Sequence, residues 1–108
     1  MAGVKKAITA KEASSLLEIP NIGKAMVEDF EILGITEPLH LKGKDAYQLY
    51  VSLCDKTRAY HDPCVLDTFM AAVHFMDGKG SKPWWDLRVF RAAFAFNKNI
   101  FFQEILWL

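Results

Sequence analysis

The chain has 108 residues, 52% of them hydrophobic and 24% charged, which fits one folded domain and excludes a disordered polyelectrolyte. Its thirteen basic residues are balanced by thirteen acidic ones, so no global field draws it to nucleic acid or membrane, and anion binding needs a local patch. Two cysteines are too few for a disulfide framework, no apolar stretch opens the N-terminus, and no apolar run reaches about 18 residues. The expectation is a cytoplasmic protein without a membrane span.

Thr9 and Glu12 have the spacing of a capping box, which predicts a first helix from about Ala10. Leu16 and Leu17, with Ala13, would form its buried stripe. Pro20 stops it, because the residue before a proline avoids the helical region. Beyond the link "IPNIG", Met26, Val27, Phe30 and Leu33 recur at three- and four-residue steps and predict a second, amphipathic helix closed by Gly34. Thr36 as a cap, with Pro38 early, predicts one short turn. Asp45 with Gln48 opens the helix "AYQLYVSLC", whose inward face is either Tyr47, Tyr50, Val51 and Cys54 or Leu49 and Leu53. Asp62 followed by Pro63 starts "PCVLDTFMAAVHFM", which should run to about Met76. "DGKGSKP" is a loop, and "WWDLRVFRAAFAF" reads as a last helix. No strand-like alternation persists, so the fold class is all-α, a single domain of about five helices with its hairpin unit near residues 10–34.

The chemistry of "IPNIG" is specific. A link this short between helices needs positive φ, which Gly23 and Asn21 tolerate best. The helix that follows leaves its first N–H groups unpaired at the positive end of its dipole, an arrangement suited to a phosphate, and Lys24 adds a charge beside them.

"LLEIPNIGKAMVEDFEILGI" resembles a helix-hairpin-helix, a motif that grips nucleic-acid backbone without reading bases. By that resemblance Asn21, Gly23 and Lys24 correspond to positions that meet phosphate, and the expected contacts run over Asn21, Ile22, Gly23, Lys24 and Ala25, the first four mainly through main-chain amides. Asn21 stands where many such motifs carry glycine. The blocks "IPNIGKAM", "LKGKDAYQLYVSLCDKT", "HDPCVLDTFMAAVHF" and "PWW" together resemble the pathogenicity-locus family, whose members are often labelled mitomycin resistance proteins. The hairpin region is also similar to the C-terminal domain of the TfoX competence regulators. The family resemblance covers roughly residues 9 to 86, and the tail after Trp85 departs from it. It implies a bacterial protein that binds DNA, with no established reaction and no cofactor.

Charge is unevenly placed. Residues 1–24 sum to +2 from four lysines and two glutamates, residues 25–38 to −4, and residues 39–61 to +2. Lys5, Lys6, Lys24, Lys42 and Lys44 could form a modest basic surface around the hairpin, with Glu28, Asp29 and Glu31 turned away from a duplex. So few lysines predict weak, salt-sensitive binding, and the competing expectation is a purely structural hairpin in a protein-interaction module.

Cys54, His61, Cys64 and His74 are zinc-ligand types, but their spacing is irregular and lacks a C-x-x-C knuckle, so no metal is assigned. Cys64, at the second position of its helix with His61 three residues before, has the ingredients of a reactive thiol, with Asp62 or Asp67 available to orient a base. Val65 and Leu66 beside it favour a structural role, and no catalytic motif accompanies it. Trp84 and Trp85 could stack on bases or seal the core, and core is favoured. Tyr47, Tyr50 and Tyr60 default to the core as well, while Arg88 and Arg91 share one helix edge. The tail "IFFQEILWL" holds seven apolar residues in nine, so segment 99–108 either folds back or joins two copies in a homodimer.

Overall fold

The computed structural model describes residues 5–80, and within them the chain is helical, with no strand. These residues form three α-helices, α1 (Lys24–Ile32), α2 (Ala46–Thr57) and α3 (Pro63–His74), with two short 3₁₀ turns before α1 and one, Pro38–Leu41, between α1 and α2. The predicted last helix, Trp84, Trp85, Arg88, Arg91 and the apolar segment 99–108 lie outside the described residues.

The expected first α-helix is replaced by two single 3₁₀ turns, Ala10–Glu12 and Leu16–Glu18. The Thr9 hydroxyl donates to Glu12 Oε1 at 3.0 Å and caps no backbone N–H, so the capping box is not made. Ser14 then breaks the chain's helical course: its N–H and its hydroxyl donate to Glu18 Oε1, at 2.7 and 2.9 Å. Serine side chains that bond locally compete with a helix ladder in this way. The amide and hydroxyl of Ser14 hold the Glu18 carboxyl below its ordinary pKa. Leu16, Ile19 and Ile22, spaced by three, are all buried. That period is the 3₁₀ repeat and not the α repeat.

α1 buries Phe30, whose ring stacks on Phe69 of α3 with centroids 4.8 Å apart, and Met26, Val27 and Leu33 pack partly against the core. Its end is a Schellman motif as Gly34 predicts: Gly34, at φ 79°, donates to Glu31 O and Ile35 donates to Phe30 O, both close to 3 Å. Glu37, not Thr36, precedes the turn Pro38–Leu41.

α2 starts where Asp45 accepts from the amides of Tyr47 and Gln48. It turns Ala46, Tyr50 and Leu53 inward, a face that mixes the two sets expected, and leaves Val51 outside. Its end repeats the Schellman bonds with Arg58 in the left-handed region at φ 53°. α3 starts at the Asp62 cap, which accepts from Cys64 N–H at 2.8 Å, and packs on α2 along most of its length. It stops at His74 and passes into a wider π-type turn, Phe75–Lys79. Both early turns Ala10–Glu12 and Pro38–Leu41 rest against that turn. The core is one cluster running from Leu16, Ile19 and Ile22 through Phe30 and Leu53 to Phe69 and Phe75.

Candidate functional site

Pro20 and Asn21 form a type II β-turn. Ile22 N–H donates to Ile19 O at 3.2 Å, and Asn21, in the third position of the turn, has φ 71°. Proline favours the second position of this turn and asparagine or glycine the third. The side chains of Ile19 and Ile22 on either side are fully buried, so the turn is pinned to the core at both ends.

The expected roles within the hairpin shift accordingly. Asn21 alone takes the positive φ, while Gly23 is extended, with φ −106° and ψ −176°, as the N-cap of α1. The Ile22 amide is consumed by the turn and is not an outward donor. Gly23, Lys24 and Ala25 are exposed. The first intrahelical bond runs from Val27 N–H to Gly23 O, which leaves the amides of Lys24, Ala25 and Met26 as the unpaired donors of the first turn. Met26 therefore joins the candidate donors, although its apolar side chain gives no hint of it. The N-cap residue Gly23 has no side chain to cap these amides, whereas Asp45 caps α2 and Asp62 caps α3. A Cβ built on Gly23 would meet no atom within 4 Å, so the fold itself does not require glycine there.

Lys6 has a role that charge counting missed. Its ammonium donates to Leu17 O at 2.5 Å and to Ile22 O at 2.6 Å, on the two sides of the turn. Ala7 N–H adds a bond to Glu18 O at 2.7 Å. Lys6, an exposed residue, is thus also a tie across the hairpin. No local signal could reveal this, since 11 and 16 residues separate the partners.

Lys42 and Lys44 are exposed but belong to a different loop. Gly43 between them, at φ 74°, donates its N–H to Asp77 Oδ1 at 2.8 Å, which anchors the loop on the turn after α3. On α1, Glu28 and Glu31 are exposed, and Asp29 is half-buried near His61. Burial raises the Asp29 pKa above its ordinary value, against the attraction of His61, and Glu28 adds to the rise.

The thiol and metal candidates are not assembled. Among the described residues no group of three His, Cys, Asp or Glu side chains is placed to hold a metal ion. Cys64 N–H already points at the Asp62 carboxylate, a negative charge at the helix end that opposes a thiolate. His61 Nε2 lies 2.8 Å from Thr57 Oγ1, whose proton goes to Leu53 O. Asp67 is buried within α3. Tyr50 is a core residue whose hydroxyl donates to His61 O, but Tyr60 is 79% exposed, because the chain leaves α2 through the left-handed Arg58 and turns Tyr60 outward. Among the described residues no helix is long and apolar enough to cross a membrane.

No solved structure matches the chain. It is similar to the mitomycin resistance protein McrB of Streptomyces lavendulae, with 36% identity over 78 residues, which is 72% of this chain and 74% of that protein. The family model described as Pathogenicity locus matches residues 9–99. That span carries the likeness past Trp85, through the segment "WWDLRVFRAAFAF", and so corrects the expectation that the family pattern ends there. With nearly the whole length matched in order, the chain belongs to the Pathogenicity locus family.

Proposed function

We propose that this protein binds DNA without sequence preference, through a helix-hairpin-helix-like unit in which the N-terminus of α1 takes a backbone phosphate. The observation that carries the proposal is the uncapped start of α1. The amides of Lys24, Ala25 and Met26 have no intrahelical partner, their N-cap residue Gly23 offers no side-chain acceptor, and they follow a turn pinned by Ile19 and Ile22. Oriented amides at a helix N-terminus, with the dipole behind them, favour an anion. The Lys24 side chain supplies a charge at the same end, and Gly23 leaves room for close approach. In this proposal the first arm of the hairpin is the pair of 3₁₀ turns, which orients the link as an α-helix would. Lys42 and Lys44 contribute from their separate loop as an auxiliary cationic surface. Two copies joined through segment 99–108 would bring two such units to one duplex.

The test is fluorescence anisotropy with duplex, single-stranded and branched DNA across a salt series. Non-specific phosphate binding weakens steeply with salt, and loss of one lysine–phosphate contact lowers the salt slope by about 1. Lys24→Glu should weaken all three substrates alike and flatten the slope by that amount. Affinity that ignores salt, or an unchanged slope in Lys24→Glu, would remove the phosphate site from α1 and leave the hairpin a structural corner.

A further inference from the structure

Leu17 and Ile22 flank the link that joins the two arms, and among the described residues no backbone N–H donates to their carbonyls. Three residues after Leu17, where a continuing 3₁₀ turn would supply an N–H, stands Pro20, which has none. The first hydrogen bond of α1 uses Gly23 O, so Ile22 O lies outside the helix ladder. Both carbonyls instead converge on one ammonium, that of Lys6, at 2.5 and 2.6 Å. The neighbouring bond from Ala7 N–H to Glu18 O fixes the strand of chain that delivers it.

We propose that Lys6 is the positioning residue of the hairpin: its ammonium, held between the carbonyls of Leu17 and Ile22, sets the angle at which α1 presents the amides of Lys24, Ala25 and Met26. The functional half of this inference rests on the phosphate reading of α1, whereas the positional half stands on the free protein. A charged donor shared by two carbonyls is stronger and more directional than a neutral one, so one side chain fixes both arms at once. It holds the carbonyl side of the link and leaves the amide side to a ligand. Lys6 therefore acts through the backbone and does not touch the phosphate. Neutralising it, by substitution or by acylation of the amine, releases the two arms.

Lys5 provides the control, because it is adjacent, exposed like Lys6, carries the same charge and makes no such bridge among the described residues. In the full chain, Lys6→Gln and Lys5→Gln lose equal charge. Lys6→Gln should shift the NMR amide signals of Ile22 to Ala25, speed hydrogen exchange of the turn-bonded Ile22 amide and weaken duplex binding roughly tenfold, about 1.4 kcal/mol. Lys5→Gln should leave those amides in place and lower affinity only slightly, and Lys6→Arg should restore both readouts. A chemical rescue adds a second arm: n-butylammonium should return the amide shifts of Lys6→Ala, whereas tetramethylammonium at equal ionic strength, lacking N–H donors, should not. If Lys6→Gln fails to fold, the parent protein decides the matter, since a bridged Lys6 ammonium gives a slowly exchanging proton signal in the cold and Lys5 does not. Equal effects of Lys5→Gln and Lys6→Gln on binding with unmoved hairpin amides, or no protected Lys6 signal, would overturn the inference. A parent that binds no duplex would end the phosphate reading alone, and the amide arm would still judge the tie.

Discussion

Replacing Gly23 by aspartate should move stability and binding in opposite directions. Gly23 holds the N-cap position of α1 in extended backbone, φ −106° and ψ −176°, and offers no acceptor to the amides above it. A side chain there would meet no atom within 4 Å, so it enters without a clash. Its carboxylate would accept from Ala25 or Met26, as Asp62 accepts from Cys64 at 2.8 Å two positions into α3. Exchanging glycine for a good cap is worth a few tenths of a kcal/mol, and the charge on the dipole about 0.3–1 more. Removing glycine's freedom in the unfolded chain adds about 0.4–1 kcal/mol. The total is about 1–2 kcal/mol, and each 1 kcal/mol raises Tm by roughly 4–8 °C in a domain of about this size. The same carboxylate takes the amides a phosphate would use. It also adds a like charge at about 4 Å, which costs about 1 kcal/mol even in water. With the lost contacts, duplex affinity should fall at least about tenfold, since each 1.4 kcal/mol is a factor of ten. Gly23→Ser should show a smaller rise in Tm and a smaller loss of binding. Thermal unfolding followed by circular dichroism, beside anisotropy at low salt, measures both effects. A lower Tm in Gly23→Asp would refute the N-cap geometry. A higher Tm with unchanged affinity would refute the phosphate site.

Two other positions separate effects of backbone and charge. Arg58 ends α2 at φ 53°, a conformation that costs an L-residue about 1–2 kcal/mol and costs glycine little. Arg58→Gly should therefore match or exceed the parent in urea unfolding, while Arg58→Val should fall below Arg58→Gly by at least about 1 kcal/mol; equal values for the two would mean the left-handed cap is not held in solution. Asp29, with its pKa raised mainly by burial, favours the protonated form in the fold, so its ionisation at neutral pH works against stability. Asp29→Asn should then be more stable than the parent near neutral pH, and the gap should close as pH falls through the raised pKa to the ordinary carboxylate range. Unfolding curves of both proteins over that window check the sign, and a gap that widens on acidification contradicts it.

The features legible in the sequence are those written within a few residues. Asp45 and Asp62–Pro63 start helices, and Gly34 ends one, because the partners of each bond lie two to five positions away. Phe30 falls inward because its neighbours repeat at helical steps. Thr9 and Glu12 misled for the same reason: the pattern of a capping box was present, but Ser14 offered its amide to Glu18 and ended the turn. The three-residue step Leu16, Ile19, Ile22 was the better guide to that arm. Within the hairpin, residue types showed that a positive φ was needed but not which residue took it, since asparagine at the third turn position satisfies the requirement and frees Gly23 to be extended. The Lys6 bridge and the Gly43–Asp77 bond join residues too far apart for any local pattern to carry.

The charge order along α1 restricts how a polyanion could meet it. Lys24, Glu28 and Glu31 stand at steps of four and three, which puts them on one face of the helix. At 1.5 Å per residue, Glu28 lies about 6 Å and Glu31 about 10 Å along the axis from Lys24, well within or near one Debye length at physiological salt. A duplex lying along this face would gain one lysine and face two carboxylates, both exposed. A duplex met by the tip alone would face the amides of the first turn, the positive end of the dipole and Lys24, with the carboxylates set back behind them. The phosphate reading therefore requires an end-on approach with the Pro20–Asn21 turn leading. Such an approach touches few phosphates, so affinity from one hairpin stays low and its salt slope is about 1 per phosphate contacted. A second tip on the same duplex, from another copy, would raise avidity through effective concentration without any new kind of contact. The geometry of α1 thus ties the chemistry of a single phosphate site to the number of copies that must act together.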